Sequence, residues 1–488
     1  MTAVISLIVN GKPRALEGEA PLREFLRSLG VNERLVAVAV NGEVVPKRRY
    51  AGVVLRDGNE VEVVRMVGGG SEDRGPRVRG RERQTVSRSP KGRPGTAVRP
   101  PKGRLQPAKD PRPLTPDPRP SEVVIVGAGI IGCAIAYELS RRGVSCLLLE
   151  GRRLGMAATN AAAGVLAPLA EFRRPDALMR LGLASLRRYP AWVERLREDV
   201  SDIDVEFVVN GVLRVAFDDA ELTELRQGIA AAAALGMELV ELDATLVREV
   251  EPRLNERIVG GLLCPEEGQV SNQLFTLALS RAARKRDARL VERAPVLGFR
   301  TSGGRVVAVR TPEREYACDA LVMAAGPWTR PIARKLRVDV PAYPVRGQML
   351  ALGRMVTPIG RPVWGARGYV LPRANGLVFA GTTVEEVGFR IRTTQRGLAQ
   401  VRRAAFELVP QLRHAREHFS WAGLRPGSPD GLPMIGRLPG WENAWAATGH
   451  FRNGILLAPI TGELLAQAIV EGAPGEALAP FDPARFGR

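Results

Sequence analysis

The chain has 488 residues, of which 45% are hydrophobic and 25% charged, so it exceeds one ordinary domain and can bury a sizeable core. It contains no run of about 18 apolar residues, which disfavours a membrane-spanning helix. Four widely separated cysteines and three histidines disfavour a disulfide framework and a Cys/His zinc site, so we expect no metal.

The net charge of +19 is of a size often associated with nucleic-acid or membrane binding. Nine of these charges fall within residues 71–120, which hold 14 Lys or Arg and 5 Asp or Glu. Arginine supplies 64 of the 71 basic residues, which indicates codon bias. No aromatic residue lies among the basic ones of this segment to stack on bases. We therefore expect no nucleic-acid partner and no membrane partner.

The first 70 residues are predicted to form a small α/β domain. Val4–Val9 is an apolar strand that ends in Asn10-Gly11, a hairpin-turn dipeptide. Leu22–Leu29 has the apolar spacing of a helix. Alternating valines predict a further strand before a second Asn-Gly pair, and Glu60–Met66 is predicted as the last strand. The segment then reaches a glycine pair, Gly69-Gly70.

Residues 71–120 are predicted to be a disordered linker. They contain 11 Pro and 5 Gly but no aromatic residue and no Ile, so they cannot bury enough apolar surface to offset the entropy of ordering.

From residue 121 onward, strand-like and helix-like segments alternate. This alternation predicts an α/β body with a doubly wound sheet and inserted antiparallel strands. The N-terminal sequence lacks a secretory signal pattern, and we expect a cytoplasmic protein.

A dinucleotide-binding motif opens the body. The apolar strand Glu122–Val126 leads directly into the sequence GAGIIG and a helical stretch, and a second strand ends in Glu150. We assign the tight turn to Gly127, the close approach of a pyrophosphate to Gly129, and helix–sheet packing to Gly132. The helix N-terminus attracts the phosphates. Glu150 can accept hydrogen bonds from ribose hydroxyls, which disfavours a 2′-phosphate.

A second glycine-rich stretch favours FAD over NAD. Ala447–Gly454 precedes an apolar helix-like segment, Ile455–Val470. A helix N-terminus that faces the ring system stabilises the negative charge of a reduced flavin, which a nicotinamide enzyme would not need. Pro459 falls within the first turn, where proline is tolerated.

Six motifs, in order, resemble the glycine oxidases of thiamine biosynthesis, which are flavoproteins of the D-amino acid oxidase type. The motifs are GAGIIG at 127–132, AATNAAAGVLAP at 157–168, AAGPW at 324–328, YPVRGQ at 343–348, WAGLRP at 421–426 and GHFRNGILLAP at 449–459. This resemblance covers about residues 121–485. Residues 1–70 separately resemble the thiamine sulfur carrier, a ubiquitin-like β-grasp protein that ends in Gly-Gly. The chain therefore resembles a fusion of the two.

The resemblance implies an α/β fold class. A Rossmann-like FAD-binding domain would be interleaved with an antiparallel-sheet substrate domain and preceded by a small ubiquitin-like β-grasp domain at 1–70. The FAD-binding parts are expected at about 121–200, 260–335 and 420–488. The substrate-domain parts are expected at about 201–259 and 336–419.

The resemblance also implies which residues surround the ligands. Substrate contacts are expected from Arg425, Arg452 and Tyr369, with Arg425 in a stretch, Ala422–Pro426, whose glycine and proline predict a loop. Arg367 matches a position that varies within the family, and Val384 and Val165 match positions that can carry Met. FAD is expected to contact Gly127, Gly129, Ile130, Ile131, Gly132, Glu150, Gly151, Ala158, Thr159, Ala163, Gly164, Val165, Val296, Gly326, His450, Phe451, Arg452, Asn453, Gly454, Ile455 and Leu456.

The activity implied is oxidative deamination of glycine by hydride transfer to flavin, which gives an imine or glyoxylate, ammonia and H₂O₂ for thiazole synthesis. A neutral amine needs no acid or base side chain for this step, in keeping with the scarcity of histidine. No cysteine follows Cys318, so the cysteinyl link of monomeric sarcosine oxidases cannot form in the C-terminal part, and we expect non-covalent FAD. The implied partners are glycine and related small amines, O₂, a thiazole synthase and a carrier-adenylating enzyme, and we expect a homo-oligomer.

Two alternatives remain open. A sarcosine or D-amino acid oxidase, or a dehydrogenase of the same fold, would use the same site. A non-enzymatic carrier or scaffold would use the body only to hold domains together, against which the intact GAGIIG motif and the two arginines argue. The carrier chemistry itself needs a free C-terminal carboxylate, whereas Gly69-Gly70 is followed by 418 residues. A sulfur-carrier role therefore requires cleavage after these glycines.

Overall fold

The computed structural model describes residues 4–29, 36–41, 43–45, 49–65, 115–116, 121–171, 176–353, 355 and 359–487. These residues form an N-terminal module and a large α/β body, which comprises residues 121–487 and the short strand at 115–116 that pairs with it. The predicted carrier glycines Gly69 and Gly70 lie outside the described residues. So does the predicted linker 71–120, except for two residues.

The N-terminal module contains a five-stranded sheet with one helix packed on it. Its strands run in the order β2-β1-β7-β4-β5, and the parallel pair β1–β7 gives the β-grasp arrangement. Ile5 and Leu7 of β1 point inward and pack with Phe25 and Leu26 of the helix. The elements are β1 (Val4–Val9), β2 (Lys12–Glu17), β3 (Ala20–Pro21), α1 (Leu22–Ser28), β4 (Val36–Val40), β5 (Glu43–Val45), β6 (Val54–Leu55) and β7 (Glu60–Arg65).

The predicted hairpin turn between β1 and β2 is confirmed, because Asn10 and Gly11 adopt φ angles of 51° and 75° between the paired residues of the two strands. This turn also contacts the body. The Asn10 carbonyl accepts a hydrogen bond from Arg153 Nη2 at 2.6 Å. A Cβ atom at Gly11 would lie 2.9 Å from Arg293 Nη2. The module therefore touches the body through the loops that hold Arg153 and Arg293.

The body contains the remaining elements. Those before residue 260 are β8 (Thr115–Pro116), β9 (Ser121–Val126), α2 (Ile130–Arg141), β10 (Cys146–Leu149), α3 (Ala158–Ala161), β11 (Val165–Leu166), α4 (Pro168–Glu171), α5 (Ala177–Leu186), α6 (Tyr189–Asp199), β12 (Val212–Ala216), α7 (Asp219–Ala233), β13 (Val240–Asp243) and α8 (Ala244–Val250). The next are β14 (Gly260–Cys264), β15 (Gly268–Gln269), α9 (Asn272–Arg284), β16 (Arg289–Val291), β17 (Gly298–Ser302), β18 (Arg305–Arg310), β19 (Arg314–Met323) and α10 (Thr329–Ala333). The last are β20 (Tyr343–Leu352), β21 (Val363–Gly365), β22 (Gly368–Pro372), β23 (Val378–Gly381), α11 (Gln395–Leu408), β24 (Glu417–Gly427), β25 (Met434–Arg437), β26 (Ala444–Thr448) and α12 (Ala458–Glu471).

A nine-stranded sheet forms the first half of the body. Its parallel core has the order β16-β10-β9-β19-β26, and β8 also pairs parallel with β19. The antiparallel strands β17, β18 and β25 extend this core. Every residue of β10 is buried, as expected for a parallel strand covered by helices on both faces. Helix α2 is buried against α9 and α12. This Rossmann-like arrangement brings the carboxyl ends of β9 and β10 to one edge of the sheet.

An eight-stranded sheet forms the second half, with the order β13-β14-β12-β21-β22-β23-β20-β24. All its pairs are antiparallel except β12–β21. Its strands come from residues 212–264 and 343–427, so it includes residues on both sides of the expected boundaries near 260 and 420. The fold class predicted from sequence, with its β-grasp module and interleaved sheets, is confirmed.

The predicted loop at Ala422–Pro426 is wrong. These residues lie within β24, which pairs with β20. Glycine and proline are typical of loops, which is why the sequence predicted one. However, β24 lies at the edge of its sheet, where a proline can be placed without loss of an inter-strand hydrogen bond. Gly423 is required by close packing, since a Cβ atom there would lie 2.3 Å from the Ala161 side chain. Arg425 is therefore held on a strand.

The four cysteines are all free and buried. Burial raises the pKa of each thiol, to about 12 for Cys146, Cys264 and Cys318 and higher for Cys133.

Within the described ranges, no helix is both long and apolar enough to cross a membrane. The described residues also contain no cluster of three or more His, Cys, Asp or Glu side chains that could bind a metal ion.

Candidate active site

A cavity of about 540 Å³ lies where the two sheets of the body meet, a size within the roughly 300–1,000 Å³ of ligand pockets. One side is lined by the ends of β9 and β10 and by the first turn of α2. The other side is lined by residues of β20, β22 and β24, including Tyr369 and Arg425. All residues predicted to contact the cofactor line this cavity except Gly132 and Leu456.

The three glycines of the GAGIIG motif have different surroundings. Gly127 has a φ of 107°, and a Cβ atom there would lie 2.5 Å from the Ala324 carbonyl oxygen. A Cβ atom at Gly132 would lie 2.0 Å from the Gly127 carbonyl oxygen, so Gly132 serves helix–strand packing and not the cavity. At Gly129 a Cβ atom would meet only the Thr159 hydroxyl, at 3.2 Å. The protein itself therefore leaves space at Gly129, on the cavity side.

Glu150 is fixed at the end of β10. Its Oε2 accepts from the Ala128 N–H and its Oε1 from the Arg152 N–H, both at 2.9 Å. Burial raises the pKa of this carboxyl, the nearby charge of Glu292 adds to the effect, and the two backbone hydrogen bonds oppose it. Each carboxylate oxygen can accept a second hydrogen bond, so Glu150 has capacity for ribose hydroxyls.

The first turn of α2 forms the next part of the wall. Gly129 is its extended N-cap, and the Ile130 N–H donates to Thr159 Oγ1 at 3.0 Å. The Thr159 carbonyl in turn accepts from Asn272 Nδ2. A helix N-terminus carries a partial positive charge and favours phosphate binding. Thr159 thus fixes the loop beside the N-terminus where a pyrophosphate would bind.

The loop before α12 lines the far side of the cavity. Gly449 and Phe451 have φ angles of 76° and 47°, and the Phe451 N–H donates to the Pro426 carbonyl at 2.8 Å. This hydrogen bond ties the loop to β24 beside Arg425. Asn453, Gly454 and Ile455 line the cavity where the chain enters α12.

Leu456 is not among the residues that line the cavity, and its predicted cofactor contact stays a prediction. Its side chain is 2% exposed and packs in the core, because its position in the turn before α12 points it away from the cavity. The Leu456 carbonyl accepts from Ser185 Oγ, and the Ile455 carbonyl accepts from Tyr189 Oη. These contacts hold the start of α12 against α5 and α6.

His450 is buried, and its Nε2 lies 3.2 Å from Thr461 Oγ1 of α12. Burial lowers its pKa from 6.5 to about 3. The imidazole is therefore neutral at physiological pH, and its hydrogen bond is made within the protein.

Arg425 points from β24 across the face of Gly347 on β20. A Cβ atom at Gly347 would lie 2.3 Å from both terminal nitrogens of Arg425, so only glycine leaves room for the guanidinium. Arg425 Nη2 donates to Thr382 Oγ1 at 2.7 Å, and Nη1 donates to the Thr383 carbonyl at 3.2 Å. The half-buried guanidinium thus has a defined orientation in the cavity wall.

Tyr369 lies on β22, within the same wall. Its ring packs on Trp364 with a centroid distance of 4.7 Å, and its hydroxyl contacts Met349 Sδ at 3.6 Å. A Cβ atom at Gly381 would lie 2.8 Å from the Tyr369 hydroxyl. Arg452, which is half-buried, lines the cavity from the loop before α12. The structure therefore brings the three predicted substrate residues to one cavity.

Residues 122–468 match the family described as FAD dependent oxidoreductase, and residues 7–70 match the ThiS family. The chain belongs to the FAD-dependent oxidoreductase family. The groups that line the cavity fit that cofactor. Glu150 could accept from ribose hydroxyls, and the N-terminus of α2 with Gly129 could receive a pyrophosphate. FAD is therefore the cofactor of this oxidoreductase.

Relatives of this FAD-dependent oxidoreductase include the glycine oxidase of Geobacillus kaustophilus, which is 33% identical over 75% of this chain and 97% of that protein. The glycine oxidase of Pseudomonas aeruginosa is 34% identical over 74% of this chain and 98% of that protein. The crystal structure of glycine oxidase from Geobacillus kaustophilus matches with a TM-score of 0.71 at 32% identity, over 75% of this chain and 98% of that one. A "Bifunctional protein ThiO/ThiG" of Synechocystis is 34% identical, but the match spans only 54% of its length.

Several cavity residues of the oxidoreductase were not predicted from its sequence. They include Gly347, Met349, Trp364 and Thr382. Glycine inside an apolar strand signals the close approach of another group, so Gly347 could have been recognised. Arg367 does not line the cavity, because it is exposed and pairs with Glu407. Val384 is 56% exposed and also lies outside the lining, whereas Val165 is part of it.

Proposed function

We propose that this FAD-dependent oxidoreductase oxidises glycine. The observation that carries the proposal is the placement of the Arg425 guanidinium, held by Thr382 and Thr383, in the same cavity as Tyr369 and the loop before α12. A desolvated carboxylate needs a paired cation, and a guanidinium offers two parallel donors to it. The relatives that match almost over their whole length are named glycine oxidases, which supports the same substrate.

Three residues that line the cavity have parts in the proposed reaction. Arg425, assisted by Arg452, binds the carboxylate, and Tyr369 covers the amine side. When bound, FAD would accept a hydride from Cα and pass both electrons to O₂, giving H₂O₂. Among the described residues that line the cavity, Glu150 is the one with a carboxylate side chain, and it lies on the opposite side from Arg425. His450 also lines the cavity, but its imidazole is buried and neutral. In the proposed reaction the substrate amine binds in its neutral form, so the hydride step needs no side-chain base, and the imine that leaves is hydrolysed by water to glyoxylate and ammonia.

The direct test is purification of the full chain with its flavin, followed by measurement of H₂O₂ released from glycine, sarcosine and D-alanine. We expect a yellow protein that releases H₂O₂ most efficiently with glycine. A higher kcat/KM for sarcosine or D-alanine would favour the neighbouring oxidases instead. Flavin reduction without H₂O₂ would indicate a dehydrogenase. A flavin-loaded protein that reacts with none of the three amines would contradict the proposal.

Arg425→Ala tests the carboxylate site. We expect the KM for glycine to rise by the equivalent of about 2–4 kcal/mol, because the change leaves a buried carboxylate without its cation. Arg425→Lys should recover only part of this loss, since an ammonium lacks the planar fork. The FAD content of both variants should match the parent protein. An unchanged KM in flavin-loaded Arg425→Ala would shift the role to Arg452.

We further propose that the oxidase product serves thiazole synthesis, and that the N-terminal module is a sulfur carrier after cleavage behind Gly69 or Gly70. The fusion of a ThiS-family module to the oxidase body supports this role. A thiazole synthase and a carrier-adenylating enzyme would then be partners. Mass spectrometry of protein from the native host should show a fragment that ends at one of these glycines. An intact chain alone, with thiazole formation unaffected, would refute the processing.

A further inference from the structure

We propose that Glu385 is a positioning residue that fixes Arg425 for carboxylate binding through Thr383, Gln348 and Thr382. This inference rests on the proposed role of Arg425 in the proposed function. Glu385 does not line the cavity, so it acts through its neighbours and not by touching the substrate.

The first link is the segment that follows β23. The two contacts described for the Arg425 guanidinium go to the Thr382 hydroxyl, at 2.7 Å, and to the Thr383 carbonyl, at 3.2 Å. Both acceptors are adjacent in sequence. A shift of this short segment would therefore move both acceptors and turn the guanidinium with them.

The second link ties that segment to β20. The Gln348 N–H donates to Thr383 Oγ1 at 3.0 Å, and Thr382 Oγ1 donates to the Gln348 carbonyl at 3.2 Å. Gln348 is fully buried, and its side-chain Oε1 accepts from the Thr394 N–H at 2.6 Å. A Cβ atom at Gly397 would lie 2.1 Å from Gln348 Nε2, so the start of α11 packs closely on this side chain. Gln348 thus has one orientation.

The third link is the carboxylate of Glu385, which accepts from three donors. Thr383 Oγ1 donates to Oε1 at 2.5 Å, Gln348 Nε2 donates to Oε1 at 2.6 Å, and Arg346 donates to Oε2. Backbone hydrogen bonds of 2.8 and 3.0 Å between Arg346 and Glu385 hold the two residues side by side. Arg346 is 4% exposed, so its guanidinium needs the negative charge of Glu385.

Arg346, Gln348 and Thr383 all donate to the side chain at position 385, so a glutamine amide there would not find an acceptor among them. The Thr383 hydroxyl already accepts from the Gln348 N–H, so its own proton is directed to Glu385, and the Gln348 amide is fixed by Thr394. A carboxylate only accepts, whereas a glutamine would present its NH₂ to one of the three donors. Burial acts to raise the pKa of Glu385, but hydrogen bonds from Thr383, Arg346 and Gln348 outweigh it and the pKa is lowered, which keeps the group charged.

The test is Glu385→Gln in the full-length, FAD-loaded protein. We expect KM for glycine and the Kd for acetate, a carboxylate probe read from the flavin difference spectrum, to rise about tenfold. The kcat at saturating glycine and the FAD content should stay within twofold of the parent. Glu407→Gln is the matched control, because it removes the exposed pair with Arg367 in the same domain and should change neither constant.

Unchanged KM and acetate Kd in Glu385→Gln would overturn the positioning role. If that variant fails to fold or to bind FAD, Thr383→Val decides, since it cuts the link between Glu385 and the Thr382–Thr383 segment with little change in volume. A folded Thr383→Val with unchanged acetate Kd would likewise overturn the role. Weakened acetate binding in a protein that does not oxidise glycine would retain the positioning role and refute the proposed function alone.

Discussion

The cavity contains two glycines whose substitution should have separable effects. At Gly347, a Cβ atom would collide with the end of the Arg425 side chain, which can move. At Gly129, a Cβ atom would meet little protein and would occupy the space where a pyrophosphate is expected. We therefore expect a substitution of Gly347 to affect the proposed substrate site and a substitution of Gly129 to affect the proposed cofactor site.

Gly347→Ala should raise KM for glycine about tenfold to a hundredfold, because the displaced guanidinium loses charged hydrogen bonds worth about 1.5–3 kcal/mol. The FAD content and Tm should change little, since the clash is relieved by a flexible side chain. Gly298→Ala in β17 is the control, because nothing lies within 4 Å of its Cβ position. Steady-state kinetics that show equal KM in both variants would contradict this account.

Gly129→Val should abolish FAD binding without unfolding the apoprotein. Gly132→Ala should instead lower Tm, because its Cβ atom would lie 2.0 Å from a backbone carbonyl that cannot move freely. Flavin absorbance and thermal melting of the two variants separate these effects. Retention of the full flavin content by Gly129→Val would refute the assignment of the pyrophosphate site.

At the scale of elements, the sequence predicts those strands and helices that are determined by a local residue pattern. The strands β1, β9 and β10 and the helices α1 and α2 follow from apolar periodicity and glycine signals, and the structure confirms them. Strand β24 was not predicted, because Gly423 and Pro426 resemble loop residues until the pairing with β20 and the edge position are known. Ser185 and Tyr189, which hold the start of α12, lie about 270 residues away in sequence, and no local pattern connects them.

His450 should make the link between its loop and α12 sensitive to acid. Its pKa is about 3 in the folded protein and 6.5 ordinarily, so the unfolded state binds the extra proton between these values. Stability therefore falls as the pH drops from 6.5 toward 3, by up to about 2 kcal/mol at pH 5.

His450→Gln should remove this contribution. Although less stable at pH 7, the variant should lose less Tm than the parent between pH 7 and pH 5. Thermal melts at the two pH values measure the difference. Equal losses of Tm in the two proteins would show that His450 does not titrate as described.

At the scale of the whole molecule, two sequence resemblances define two structural units, and the structure adds the contact between them. The turn at Asn10-Gly11 meets Arg153 and Arg293, which flank the loops around Glu150. The Arg293 N–H donates to the Arg152 carbonyl at 2.8 Å, so these loops are joined to each other. Sequence could not predict this contact, because it depends on how two separately folded surfaces meet.

The burial of all four thiols has a consequence for the lifetime of this oxidoreductase if it releases H₂O₂ as proposed. Peroxide attacks the thiolate, and a pKa of about 12 leaves a thiolate fraction on the order of 10⁻⁵ at neutral pH. A sulfenic-acid probe should therefore label none of the cysteines during turnover with glycine, but all four after unfolding in peroxide. Labelling of the folded protein would contradict this. The chain should tolerate its own proposed product without a protecting reductant, so that inactivation during long reactions proceeds through loss of flavin or oxidation of methionine.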